Sequence, residues 1–308
     1  MNILFLMKGL ETIIPEKDTS LLFMQEAQRR GHTVYFLPQG GCSLTPTGAL
    51  FHVKRCLCVD KGSFPLDVLD EEVLSESDVD VVFIRTDPPF DTAYLTDMWV
   101  LEQLSSKIRC INTPLGIRTV NEKIWITQFK DLIPPTLLSS SKKEILSFIE
   151  EHQHVIVKPC DGFGGDSIFT VMNNDLNKQV ILEMMTQHFT QYCVIQSYIS
   201  ESKVGDKRIL LCNGEILGAV LRVHSAEDHR NNFFAGGTAQ FAEITDRDRH
   251  VVSVLKPHLS RLGLSFVGID IIGDFLIECN VTSPTCLKEM SHVMNKSLER
   301  VAFDYFFL

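Results

Sequence analysis

The sequence predicts an α/β protein: a doubly wound parallel sheet at the N-terminus, a small α+β section after it, and an end built on antiparallel strands. Three observations predict this. Two apolar strand-like runs at 3–7 and 33–37 flank a helix-length segment, which makes a βαβ unit. At 133–136 Ile-Pro-Pro-Thr marks a boundary, and short strand and helix patterns around a Gly-rich turn follow it. Further on, Asn213-Gly214 separates two apolar runs, the strongest two-residue hairpin signal.

Each element has a local reason. Residues 3–7 are all apolar, as a buried strand requires. Asp18 or Thr19 can cap the following helix, which should end near Arg30 with Gly31 as its stop. Strand and helix are expected to alternate over the first 110 or so residues. Residues 81–84 form another short strand and run into Arg85-Thr86-Asp87-Pro88-Pro89-Phe90-Asp91, ahead of a helix over 94–104. Ligands of open α/β sheets sit beyond the carboxyl ends of strands. A rigid polar site and an ordinary loop with Asp91 as helix cap fit this stretch equally. Beyond the Pro-Pro boundary come a helix (142–153), a strand (154–159), a Gly-rich turn (161–166), a returning strand (167–171), a helix (177–189) and a strand (192–196). The hairpin strands are 207–212 and 215–221.

Composition narrows the function. The 308 residues carry 29 Lys+Arg and 39 Asp+Glu, a formal charge of −10. Such a balance argues against nucleic-acid and membrane partners. At 44% hydrophobic and 22% charged, the chain is expected to be globular, with about two core-forming domains. Nine scattered cysteines without a CxxC pair read as reduced, buried thiols. The apolar N-terminal run is too short for a signal peptide, and no stretch approaches a membrane span, so a cytoplasmic location is expected. The turn after Met7 lacks GxGxxG, which removes the main reason to expect a dinucleotide.

Three constellations could carry chemistry. The first is Val157-Lys158-Pro159-Cys160-Asp161-Gly162-Phe163-Gly164-Gly165-Asp166-Ser167. Its glycines could let backbone N–H groups approach a phosphate, with Lys158 adding charge. A plain glycine hairpin fits the loop as well, although a lysine inside a Val-rich strand needs a partner. The second is the pair of apolar strands around Asp270, Glu278 and Asn280. Glu278 and Asn280 share a face. Asp270 joins them if the connection is three residues, Gly273-Asp274-Phe275, which sets Asp270 opposite Glu278. A two-residue turn would turn Asp270 to the wrong face. With that register, the residues favour a Mg²⁺ face over solvated carboxylates, because hard oxygen ligands suit that ion. The third is basic: Arg208, Arg222 and Arg230-Asn231-Asn232, which lead to Gly236-Gly237 and lie between the other two.

These residues resemble bacterial glutathione synthetases, ATP-grasp ligases. The matching segments are EAQRRG (26–31), RTDPPFDT (85–92), NEK (121–123), VKPCDGFGGDSIF (157–169), GDKR (205–208) and FVGIDIIGDFLIECNVTSPTC (266–286), in the family's order. The resemblance implies a Rossmann-like domain over 1–120, an ATP-grasp lid domain over 121–200 and a C-terminal ATP-grasp catalytic domain over 201–308. It implies ligation of γ-glutamylcysteine to glycine with ATP and one or two Mg²⁺ ions, a role open to Mn²⁺, in a homotetramer. Lys123 and Lys158 would contact the ATP phosphates, and the loop of Asp161, Gly162, Phe163, Gly164, Gly165 and Ser167 would close over them. Gln196, Ser197, Tyr198 and Ile199 would line the adenine pocket. Asp270, Glu278 and Asn280 would hold Mg²⁺, and Arg208 would face the transferred phosphate. Arg85, Asp87, Arg222, Asn232, Gly236, Gly237, Ser283 and Ser20 would surround the peptide or its activated carboxyl group, with Arg230 beside them.

Three places depart from the family pattern. Lys8-Gly9 stands where Asp-Pro is expected, residues 223–230 contain no glycine, and Thr238 stands where arginine is expected. The ATP and metal positions are unaffected. The departures bear on lid closure and on the choice of amine.

Overall fold

A computed structural model of the chain describes residues 1–59, 65–162, 167–223 and 238–307. Its strands form three sheets in succession.

The first sheet starts as expected. β1 (Asn2–Met7), α1 (Thr19–Arg29) and β2 (Thr33–Pro38) make a parallel βαβ unit with Leu4 opposite Tyr35. Asp18 is the cap, its Oδ1 accepting from the Leu21 N–H at 2.7 Å. Gly31 follows the helix at φ +80°, a conformation costly for other residues. The expected alternation then fails. β3 (Cys42–Thr45), β4 (Gly48–Cys58) and β5 (Leu66–Ser75) form an antiparallel meander, with β4 also paired to β2. The reason is legible in β4: Ala49, Phe51 and Val53 are buried while His52 between them is exposed, the period of a strand with one wet face. β6 (Val81–Ile84) is buried throughout and lies parallel to β1. α2 (Thr92–Leu101) is capped by Asp91, and β7 (Arg109–Ile111) pairs with β6 ahead of α3 (Pro114–Thr119).

The second sheet contains β8 (Thr136–Ser139), β9 (His154–Pro159), β10 (Phe169–Met172) and β11 (Cys193–Ser197) in the order β10-β9-β11-β8. Its helices are α4 (Lys142–His152) and α5 (Lys178–Met185). α5 stops short of residue 189 because Gln187, His188 and Phe189 all take positive φ. Ile145, Ile149, Val155, Val157, Val171, Leu182, Cys193 and Ile195 form a core confined to this unit. Since Val155 and Val157 face that core, His154, Ile156 and Lys158 face the other way.

The third sheet is antiparallel: β12 (Asp206–Cys212), β13 (Glu215–Val223), β14 (Thr238–Phe241), β15 (Phe266–Ile272) and β16 (Phe275–Asn280), in the order β14-β13-β12-β15-β16. α6 (Asp246–Arg261), α7 (Leu287–Met294) and α8 (Leu298–Phe307) accompany it. The predicted hairpin turn is present, with Asn213 and Gly214 at φ 49° and 76°.

The first and third sheets share their cores. One cluster joins Leu4, Ile84 and Tyr94 to Ile209, Val267 and Ile269. The other sets Phe23 against Phe266, with centroids 5.1 Å apart, and Phe83 against Phe306, 5.5 Å apart. Asn112, just after β7, donates to the carbonyls of Phe266 (2.7 Å) and Val281 (2.9 Å) and accepts from the Phe266 N–H (2.7 Å). Gly116 lets α3 approach the Leu262 carbonyl, which a Cβ would strike. Among the described residues, no helix is long and apolar enough to cross a membrane.

Candidate active site

The register of the acidic strands decides whether Asp270 shares a face with Glu278 and Asn280. Ile272 pairs with Phe275, so the connection is the two residues Gly273-Asp274, not the expected three. Asp270 nevertheless lies opposite Glu278. A β-bulge explains this: the register shifts between Asp270 and Ile271, leaving Ile277 as an extra residue on β16. That residue restores the side-chain phase, and Gly268 then pairs with Asn280.

Register also builds the basic cluster. Arg208 is opposite Asp270, and Arg222 is opposite Asp206. Arg208 Nε donates to Asp270 Oδ1 and its Nη2 to Oδ2 at 2.8 Å. Arg222 grips Asp206 through Nε (2.7 Å) and Nη2 (2.5 Å), and its Nη2 also lies 3.0 Å from Asp270 Oδ2. Burial alone would push the Asp270 carboxyl up; the two guanidiniums outweigh it and hold it well below the usual range. Burial pushes Asp206 up despite Arg222. Asp206 escaped the sequence reading. Its signal was there, two residues before Arg208 and so on the same face of the strand.

The lysines come from the second sheet and its approach. Lys158 is 7% exposed, and its Nζ donates to Gln196 Oε1 at 2.6 Å. Burial lowers its ammonium to about 8, against the opposing influence of Glu278. Lys123 Nζ lies 2.9 Å from Glu278 Oε1 and donates to the Gly162 carbonyl. Burial opposes its charge, but Glu278 outweighs that and raises its pKa. The segment is held by Glu122, a second residue the sequence reading passed over. Its Oε1 accepts from Val281 N, Thr282 N and Thr282 Oγ1 at 2.8, 3.1 and 2.8 Å.

The adenine candidates continue from β11. Gln196 Nε2 reaches Thr136 Oγ1 at 3.1 Å, and Tyr198 stacks on His154 with centroids 3.9 Å apart. Ser197 and Ile199 are half-buried beside them, whereas Asp161 and Ser167 are exposed. A further group forms at the joint of the first and third sheets. Arg85 is buried, donating from Nε to Ser20 Oγ and from Nη2 to the Pro284 carbonyl, both at 2.9 Å. Its Nη1 is buried without a hydrogen-bond partner among the described residues. Asp87 is exposed but acts electrostatically on Arg85, and Ser283 precedes the proline that Arg85 holds. Phe163, Gly164, Gly165, Arg230, Asn232, Gly236 and Gly237 lie outside the described residues.

The donor set fits Mg²⁺. Among the described residues no three His, Cys, Asp or Glu side chains group closely enough to hold a metal by themselves. The candidate face instead offers two carboxylates and an amide, with Asn280 Nδ2 3.3 Å from Asp270 Oδ2. Few protein oxygens suit an ion that completes its shell with phosphate and water. All nine cysteines are free thiols. Burial pushes Cys42, Cys58, Cys110 and Cys193 up to about 12, so none of these four is a ready nucleophile.

A self-contained sheet bearing a lysine, facing antiparallel strands of carboxylates and guanidiniums, is the arrangement of an ATP-grasp ligase. Solved structures agree on the fold: D-cycloserine synthetase DcsG superposes with a TM-score of 0.69 at 14% identity, covering 99% of this chain and 100% of that one. The ATP-grasp ligase PsnB gives 0.65 at 14% identity over 100% of this chain and 98% of its own. Residues 1–118 match the prokaryotic glutathione synthetase N-terminal domain, and residues 122–295 match the ATP-grasp domain of the same family. The chain belongs to the prokaryotic glutathione synthetase family and is an ATP-dependent ligase. It is 38% identical to the glutathione synthetase of Gloeobacter violaceus over 99% of this chain and 96% of that one. It is 36% identical to that of Buchnera aphidicola with the same coverage, and 37% identical to that of Escherichia coli over 94% and 92%.

Proposed function

We propose that the chain joins γ-glutamylcysteine to glycine through an acyl phosphate. The cysteinyl carboxylate attacks the γ-phosphorus of ATP and releases ADP. The glycine nitrogen then attacks the acyl carbon, loses a proton, and phosphate departs with the C–O electron pair, leaving glutathione. The observation that carries this reading is the meeting of Lys123 and Glu278 at 2.9 Å, beside the buried Arg208–Asp270 pair.

Two anions must meet before any bond forms, so fixed positive charge is the first requirement. Lys123 and Lys158 are assigned to the ATP phosphates, and Arg208 to the phosphoryl group in transfer. Arg222 is assigned to the carboxylate that receives it. Asp270, Glu278 and Asn280 would hold Mg²⁺, which when bound neutralises phosphate charge and makes the phosphorus more electrophilic. Gln196–Ile199 would receive adenine. Ser20, Arg85, Asp87 and Ser283 would hold the peptide; Arg85 Nη1 has no hydrogen-bond partner among the described residues. The loop from Asp161 to Ser167, and Arg230, Asn232, Gly236 and Gly237, are assigned to closure and acyl-group contacts. Excluding water protects the acyl phosphate. A homotetramer in the cytoplasm completes this reading, and sedimentation velocity tests the assembly.

The test is ADP release by purified protein with ATP, Mg²⁺, γ-glutamylcysteine and glycine. Turnover that needs both amino substrates is expected. Its absence, with turnover on another acyl donor and amine, would assign the site to a different ATP-grasp ligation.

A further inference from the structure

The three residues Asn121-Glu122-Lys123 touch two sheets at once. Asn121 Nδ2 donates to the Cys160 carbonyl at 3.0 Å, and Lys123 Nζ donates to the Gly162 carbonyl. Both carbonyls belong to the turn that leaves β9. Between them, Glu122 faces the opposite way. One carboxylate oxygen gathers three donors from Val281 and Thr282, at the end of β16, and the Glu122 carbonyl accepts from Cys279 N at 2.9 Å. Asn280 and Ser283 flank the two residues so held. Nearby, the buried Tyr94 hydroxyl has no hydrogen-bond partner among the described residues.

A single short segment therefore sets the distance between the glycine turn and the strand end that carries the metal and substrate candidates. We propose that Glu122 is a positioning residue for phosphoryl transfer: it fastens the 121–123 segment to Val281 and Thr282, so that Lys123 and the Cys160–Gly162 turn are held at a fixed place relative to Asn280 and Ser283. The inference rests on the ligase reading. Glu122 itself touches no reacting group. Burial and the neighbouring Glu278 raise the Glu122 carboxyl, while hydrogen bonds from Val281 and Thr282 work against that; three of them converging on one oxygen fix the segment in place. A displacement of about 1 Å at a distance from the chemistry can cost about a hundredfold in rate.

The test compares Glu122→Ala, Glu122→Gln and Thr282→Val with the unaltered chain in the glycine-dependent ADP-release assay, together with ADP titration calorimetry. In Glu122→Gln the amide oxygen can accept the same three bonds; in Thr282→Val only the hydroxyl bond is lost. We expect kcat to fall about a hundredfold in Glu122→Ala, to recover largely in Glu122→Gln and to fall several-fold in Thr282→Val. ADP affinity should weaken in the same order. In a Lys123→Met background, Glu122→Ala should cost clearly less than in the parent, because part of its effect runs through that lysine. The proposal is overturned if kcat in Glu122→Ala stays within about threefold of the parent, or if its loss multiplies fully with that of Lys123→Met. If Glu122→Ala does not fold, Thr282→Val decides alone, and unaltered kcat and ADP affinity there overturn the latch. Failure of the ligase reading is separate, since the parent chain would then not turn over at all.

Discussion

Lys158 gives the sharpest prediction, with pH as the perturbation. Burial brings its ammonium from an ordinary 10.5 down to about 8. Below pH 8 the folded protein carries that charge at a cost of about 3 kcal/mol. Between pH 8 and 10.5 the unfolded chain binds more protons at this site than the folded one. Stability on this group's account therefore rises with pH through that window. Nucleotide should reverse the situation, because phosphates supply the negative charge that the buried site lacks. The ammonium is then favoured in the complex, and binding above pH 8 must take up a proton. At pH 9 about nine-tenths of the free protein would hold a neutral Lys158, and affinity should fall by up to about tenfold per pH unit from pH 8 upward. Calorimetric titration with ATP from pH 7 to 9.5, in buffers of different ionisation enthalpy, measures both affinity and proton uptake. Lys158→Met should bind more weakly at pH 7, lose the proton uptake, and unfold at higher urea than the parent. Affinity at pH 9.5 equal to that at pH 7, with no proton exchange, would refute the reasoning.

The remaining predictions concern the acidic strands. Glu278→Gln should raise the Mg²⁺ concentration needed for half-maximal ADP release and lower turnover by about a hundredfold, with the circular dichroism spectrum unchanged; an unaltered Mg²⁺ dependence would remove Glu278 from the site. Asp206→Asn leaves two buried guanidiniums sharing Asp270, so urea unfolding should report a loss of about 3–5 kcal/mol. A loss below about 1 kcal/mol would mean that Asp206 and Arg222 are solvated as a surface pair is.

Much of this was legible in the chain itself, and the failures have identifiable causes. The βαβ start, the Asn213-Gly214 hairpin and the lysine strand are local patterns, set by side-chain period and turn chemistry. In the meander at 42–75 the alternation of β4 is visible in the chain, but β5, with Asp67, Asp70, Glu71 and Glu72, carries little apolar signal, and antiparallel pairing is not expected after a βαβ start. The connection at 273–274 was misjudged because a bulge leaves no mark in composition: Ile277 reads like any strand residue, and only pairing reveals that it is extra. Asp206 and Glu122 lie inside the GDKR and NEK segments but were given no role, because their partners are distant: Arg222, 16 positions on, and Val281 and Thr282, about 160 positions on; only the strand face that Asp206 shares with Arg208 is local.

The middle sheet has one more consequence. Its first strand, β8, and its last, β11, are hydrogen-bonded neighbours, with Thr136 opposite Gln196, and Ser197 N also bonds the Pro135 carbonyl at 3.0 Å. The chain thus enters and leaves this unit through adjoining doors. Among the described residues, its core contains none from either outer sheet, while those two sheets are welded through common cores and Asn112. In chain order the unit sits in the middle; mechanically it is an appendage. A rotation about its paired neck would leave closed the packed interior that joins the other two sheets, but it would have to carry or break the hydrogen bonds from Asn121 to the Cys160 carbonyl and from Lys123 to the Gly162 carbonyl. Amide exchange would register this as protection in β9 and β11 that rises with nucleotide, while β12 and β15 stay unchanged.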